Sequence, residues 1–199
     1  MILTGVSRFF AAGYRHSAAA PEAKYSGGRV ISDAGQYTIS ADVEVIGVYR
    51  KSTPWDHKTR FSGGQLTHSA LEADEGIEDW LFGREPVEVM AGYLRVQRHG
   101  IGSSASPPFL GFGVIRRICD PDTVRLMYQP LILPKVKYVP QGSESGESEQ
   151  GALNLTPTSY MAQIYPEDET GEWIWRFGVV ETEEEAEAVI KGVFGMVEK

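Results

Sequence analysis

Pro107-Pro108-Phe109-Leu110-Gly111-Phe112-Gly113-Val114-Ile115-Arg116-Arg117 is the stretch on which the reading of the fold turns. From Phe109 to Ile118 apolar residues occupy both parities, and the run is bounded by Pro107-Pro108 and by Asp120-Pro121-Asp122. That is the pattern of a strand buried on both faces. Gly111 and Gly113 then read as residues that relieve crowding in a buried strand. Beyond the Asp120–Asp122 turn, Val124, Leu126 and Tyr128 alternate with Arg125 and Met127, and Val136 and Tyr138 alternate with Lys135 and Lys137. Pro130 and Pro134 bracket Leu131-Ile132-Leu133, which predicts an edge strand or a break. The Ser-, Gly- and Glu-rich run Gln141–Gln150 has nothing to bury and reads as a flexible acidic loop. After it, Leu153 and Leu155 lie on one parity and Tyr160, Ala162 and Ile164 on the other, with a bulge expected at Pro157.

The same grammar runs toward the N-terminus. Val6–Tyr14 and Tyr25–Ile31 read as strands, with His16–Lys24 a loop between them. In Tyr37–Tyr49 the residues Tyr37, Ile39, Ala41, Val43 and Val45 alternate with polar ones, and a phase change places a bulge near Ile46-Gly47. Arg50–Arg60 breaks the pattern and reads as a polar loop carrying Trp55. Phe61–Leu71 resumes as strand, so the whole is a long hairpin with a projecting tip. Asp74 and Gly83 have the chemistry to cap a short helix bearing Ile77, Trp80 and Leu81. Val87–Arg98 reads as one further strand. Glu167–Gly171 is an acidic turn leading into Trp173, Trp175 and Phe177, expected on one buried face. Thr182-Glu183-Glu184-Glu185 is a capping box opening a helix with the stripe Ala186, Val189, Ile190, Val193. The fold class predicted is mainly β, a β-sandwich or barrel with one or two short helices packed on it. Residues 1–199 form one domain, with a projecting hairpin loop at 50–60 and the acidic loop at 141–150.

Composition narrows the function. The 199 residues are 42% apolar and carry a net charge of −8, without the basic stripe of a nucleic-acid binder. One cysteine, Cys119, excludes an internal disulfide. No targeting signal opens the chain, and no apolar run approaches the ~20 residues needed to span a bilayer, so a soluble product made in a cytoplasm is expected. The four histidines, His16, His57, His68 and His99, show no metal-ligand spacing and read as scattered surface residues. Gly111-Phe112-Gly113 lacks the third glycine and the helix of a dinucleotide fingerprint. Glu167, Asp168, Glu169 and Glu172 do not follow a calcium-loop pattern. Neither catalytic residues nor a cofactor or metal site is expected.

In their order and spacing, several of these motifs resemble the major tail proteins (tail tube proteins) of long-tailed bacteriophages, particularly the phi13 and TP901-1-like type. The resemblance is carried by Gly28-Arg29-Val30-Ile31 through Val45, by Ile77-Glu78-Asp79-Trp80-Leu81-Phe82-Gly83, and by the Pro108–Arg117 strand. It continues through Tyr128–Tyr138, Leu153-Asn154-Leu155-Thr156-Pro157-Thr158, and the Glu172-Trp173 strand leading to the Thr182–Val193 helix. The prolines after Tyr128 and the long Arg50–Arg60 tip depart from the family's pattern. The resemblance implies a non-enzymatic structural virion protein, made in the host cytoplasm and incorporated in the tail. Hexameric rings of it would stack into a tube through which the genome is ejected. Its partners would be copies of itself and the tail terminator, tape measure and distal tail proteins, with DNA passing unbound and no membrane contact. Inner tubes of contractile tails and of type VI secretion are related alternatives. A small-ligand or carbohydrate-binding β-domain using the aromatic strand is the alternative of another class.

Within this reading the Arg50–Arg60 tip is a contact arm between subunits or rings, with Lys51, Trp55, His57 and Arg60 as its contact residues. Asp42 and Glu44 are candidate acids lining the bore. They alternate with Val43 and Val45, so they are expected to point away from the core those valines enter.

Overall fold

Strands with apolar residues on both parities need neighbours along both edges and cover on both faces, and the computed structural model of the chain supplies them in one curled sheet. It describes residues 1–16, 24–33, 35–51, 53–70, 74–100, 106–140 and 157–196. The elements run β1 (Ile2–Tyr14), β2 (Tyr25–Ser32), β3 (Gly35–Arg50), β4 (Thr53–Ala70), α1 (Glu75–Phe82), β5 (Val87–Ala91) and β6 (Leu94–Arg98). Then follow β7 (Phe109–Cys119), β8 (Leu126–Val139), β9 (Thr158–Tyr165), β10 (Trp175–Arg176) and α2 (Glu183–Val193). Among the described residues, eight strands form an antiparallel sheet ordered β2-β1-β7-β8-β9-β4-β3, with β10 added on β8, while β5 and β6 pair only with each other. The protein is mainly β, as its strand grammar predicts.

The sheet folds over on itself. Phe9 of β1 meets Tyr37 of β3 edge-on at 6.4 Å, although the two strands stand far apart in the sheet order. The inner face so enclosed holds Phe9, Ala11, Leu66, Leu110, Phe112, Val114, Leu131 and Tyr138, with Leu81 and Phe82 of α1 closing it. On the outer face α2 covers Phe10, Ala12, Ile115 and Ile132 through Ala186, Ile190 and Phe194. β7 is thus buried on both sides, and each large apolar side chain it sinks contributes about 1.5–3 kcal/mol. A Cβ at Gly111 would stand 2.5 Å from Tyr25 Cε1 and 2.9 Å from Phe194 Cε1, so this glycine is the space into which those rings fit.

Local chemistry sets the helix ends. The Asp74 side chain accepts the Gly76 N–H, and Gly83 ends α1 with φ 62. Thr182 and Glu185 form the reciprocal capping box of α2, and Gly195 beyond it has φ 64. The acidic turn is locked by its own backbone. Glu167 is 2% exposed and accepts from Thr170 N at 2.7 Å and from Glu169 N at 3.1 Å. Burial would raise its pKa, but these bonds and the Lys24 ammonium overcome that and bring it down to about 2.

Several expectations need correction. β8 is neither an edge nor broken. It pairs with β7 along one side, and with β9 and then β10 along the other. Pro130 offers its carbonyl to Phe177 N–H at 3.1 Å. Pro134 sits at a bulge opposite Gly111, where the neighbour changes from β9 to β10 and no ladder donor is missed. Val87–Arg98 is a hairpin turning at Gly92 (φ 66), so its phase slip was a turn. Trp173, Trp175 and Phe177 do not share a face: Trp173 packs on the inner cluster, Trp175 and Phe177 on the outer one. Of the histidines taken as surface residues, His68 is 1% exposed. The 141–150 loop and the Leu153-Leu155 pattern lie outside the described residues.

Candidate functional site

The long hairpin has two parts with different physics. In its root, β4 pairs with β9 from Gly64 to Ala70, and β3 lies on the other edge of β4. From Val43–Phe61 outward to Arg50–Thr53 the two strands pair, among the described residues, only with each other, over about 24 Å at strand rise. The expected 50–60 loop is therefore a correction. Residues from Thr53 on belong to β4, and the chain reverses at Lys51 (φ 49). The bulges also lie elsewhere than near Ile46-Gly47. They leave Ser62 and Trp55 of β4 as the extra residues, opposite the Asp42/Val43 and Val48/Tyr49 steps.

Freed of neighbours, this ribbon is wet on both faces. One face carries Val43, Val45, Thr59 and His57. The other carries Glu44 opposite Arg60, Ile46 opposite Lys58, and Val48 opposite Asp56. Val43, Val45 and Ile46 are 51%, 64% and 43% exposed, and Trp55 is 67% exposed. Among the described residues the valines join neither core cluster, which corrects the premise used for Asp42 and Glu44; acids and valines alike are exposed. The phase change past Val45 has the same cause, because a ribbon with no buried face has no parity to keep. At its root the ribbon is held by Phe61, whose ring stacks on Trp173 at 4.9 Å and 6°. The ribbon thus brings together Lys51, Trp55, His57 and Arg60 on one projection, all exposed, with Asp42 and Glu44 at its base.

A second exposed ribbon, β5–β6, escaped the reading of the sequence. Val87, Val89 and Ala91 face Arg98, Val96 and Leu94 across it, while Glu88, Gln97, Met90 and Arg95 take the other side. Met90, Tyr93 and Leu94 are 63%, 90% and 54% exposed. The signal was present: two short alternating runs flank Gly92-Tyr93. A clamp on α1 holds both ends of the ribbon. Arg84, before β5, reaches Glu78 Oε2 at 2.9 Å and pairs with Asp79 Oδ1 at 3.3 Å, off hydrogen-bond geometry. His99, after β6, reaches Asp79 Oδ2 at 2.5 Å and Glu75 Oε2 at 3.2 Å.

No family model matches the chain, and no curated protein matches it by sequence. The surfaces must therefore be read on their own chemistry. A hairpin of two strands is marginal in water by itself, and apolar residues on both its faces gain nothing until another surface covers them. Among the described residues no group of His, Cys, Asp and Glu could hold a metal ion, and no helix is long and apolar enough to cross a membrane.

Proposed function

We propose that the chain is a structural subunit that assembles with copies of itself, as the tube protein of a phage tail does. The observation that carries this reading is the β3–β4 ribbon, which leaves the sheet and displays Val43, Val45, Ile46 and Trp55 to solvent. Exposed aromatic and aliphatic side chains ringed by Lys, Arg and Asp have the make-up of an interface core with its rim. The motif order that resembles tail tube proteins supports the particular form: rings of six stacked into a conduit. Terminator, tape measure and distal tail proteins would meet its ends. Asp42 and Glu44 are the proposed bore acids. A conduit for DNA must not hold its phosphates, and fixed negative charge prevents the counterion-releasing contacts that give DNA affinity. Replacing residues 44–60 by an Asn-Gly turn between Val43 and Phe61 tests the reading. The shortened subunit should fold, as judged by circular dichroism, and form no rings or tubes by electron microscopy. Tubes like those of the unaltered chain would refute it.

A further inference from the structure

The mouth of the curled sheet holds a feature the assembly reading leaves unexplained. Between the start of β1, β3 and the β10 segment opens a cleft of about 840 Å³, within the range of about 300–1,000 Å³ usual for small-molecule sites. Its wall is mixed, with Val6, Ile39, Leu131 and the Trp173 indole beside Thr4, Gln36 and Tyr37. Its charge is of one sign: the described lining includes Arg116 and Arg176 and no carboxylate. Neither guanidinium forms an ion pair among the described residues, a state they share with Arg15, Arg29, Arg60 and Arg98.

Arg116 is the decisive residue. It stands on the inner face of β7, two positions beyond Val114, and is half-buried. Its Nη1 donates to Gln129 Oε1 at a long 3.4 Å. Its Nε is closed off from solvent and meets no acceptor among the described residues. The guanidinium also touches the Tyr37 phenol; burial raises that phenol's pKa, and the positive charges of Arg116 and Arg176 oppose the rise. Both side chains line the same cleft. An anion seated in the cleft would pair with the guanidinium donors that line it. Guanidinium groups match planar carboxylates with paired hydrogen bonds. The described lining adds no lysine and no helix terminus of the kind that phosphate sites use.

We infer that this cleft binds a carboxylate carrying an apolar or aromatic body, with the oxygens held by Arg116 and Arg176 and the body laid against Ile39, Leu131 and Trp173. The inference does not rest on the assembly reading and is tested on unassembled subunit. Isothermal titration with phenylacetate should show saturable binding. Phenylacetamide, of the same shape without the charge, and inorganic phosphate should bind at least about tenfold more weakly. Arg176→Gln removes an exposed side chain, so the fold should survive with an unchanged melting curve, and phenylacetate affinity should fall about tenfold or more; Arg116→Gln should do the same. Equal binding of the amide, tighter binding of phosphate, unchanged affinity in R176Q, or no heat with phenylacetate at about 10 mM would each overturn the site. A second arm identifies the source of the acid. If another copy supplies it, R176Q and added phenylacetate both slow self-assembly. If a free acid is the ligand, assembly proceeds unchanged while binding is lost in the variant.

Discussion

His68 is enclosed by rings: Phe9 at 5.5 Å, Phe112 at 5.2 Å, Tyr138 at 5.7 Å and Tyr160 at 5.1 Å between centroids. Its Nε2 shares a 2.9 Å hydrogen bond with the Tyr138 hydroxyl, and its Nδ1 has no partner among the described residues. A charged imidazolium there would have neither water nor a carboxylate, and burial lowers the pKa from 6.5 to about 4. The direction of the pH effect follows. Above pH 6.5 the ring is neutral in both folded and unfolded chains. Between 6.5 and about 4 the unfolded chain takes up a proton that the folded chain refuses, so stability falls as pH falls. By pH 5 the loss is about 2 kcal/mol, and it levels off near about 3 kcal/mol below pH 4. Glu167 and Asp168, both lowered to about 2, lose their contributions as the pH falls through 4.5 and 3.8 and below, and leave the interval from pH 7 to pH 5 clear. Urea unfolding of wild type and of His68→Phe at pH 7 and pH 5 is the assay. Phe fits the aromatic cage but leaves the Tyr138 hydroxyl unpaired, at a cost of about 1–3 kcal/mol that does not depend on pH. The wild type should lose about 2 kcal/mol more than the variant between the two pH values. Equal losses would mean that His68 takes up its proton inside the fold and that the cage is open to water.

Two further outcomes are expected. Gly111→Ala should destabilise the subunit by about 1–3 kcal/mol, because the Tyr25 and Phe194 rings must move; Gly178→Ala, with nothing within 4 Å of the new Cβ, should leave thermal unfolding unchanged. If Asp42 and Glu44 line the bore, reversing both to Lys should reduce genome delivery at low salt, with partial recovery as added salt screens the new charges; unchanged delivery at low salt would remove both residues from the bore.

The chain's local choices were legible because their causes lie within a few residues. Thr182 and Glu185 cap α2 from three positions apart, and Asp74 and Gly83 bracket a helix of eight residues. Gly111 and Gly113 announced a strand crowded on both sides because small residues alternate there with large ones. What sequence pattern could not supply was each strand's neighbours. Alternation in β3 is the same at Ile39, packed on the core, as at Val45, 64% exposed. The difference is made by β9, about 100 residues on, whose pairing with β4 stops at Ile164–Gly64 and leaves the outer ribbon uncovered. Pro130 and Pro134 mark an edge by local rule, yet their missing donors fall at a bulge and a change of partner that only the assembled sheet defines. His68 tells the same story: a polar residue on a strand is read as surface until the sheet curls over it. Caps and turns are closed by hydrogen bonds between near neighbours in sequence; burial and exposure are set by which distant strands arrive alongside, and that is decided only when the sheet closes.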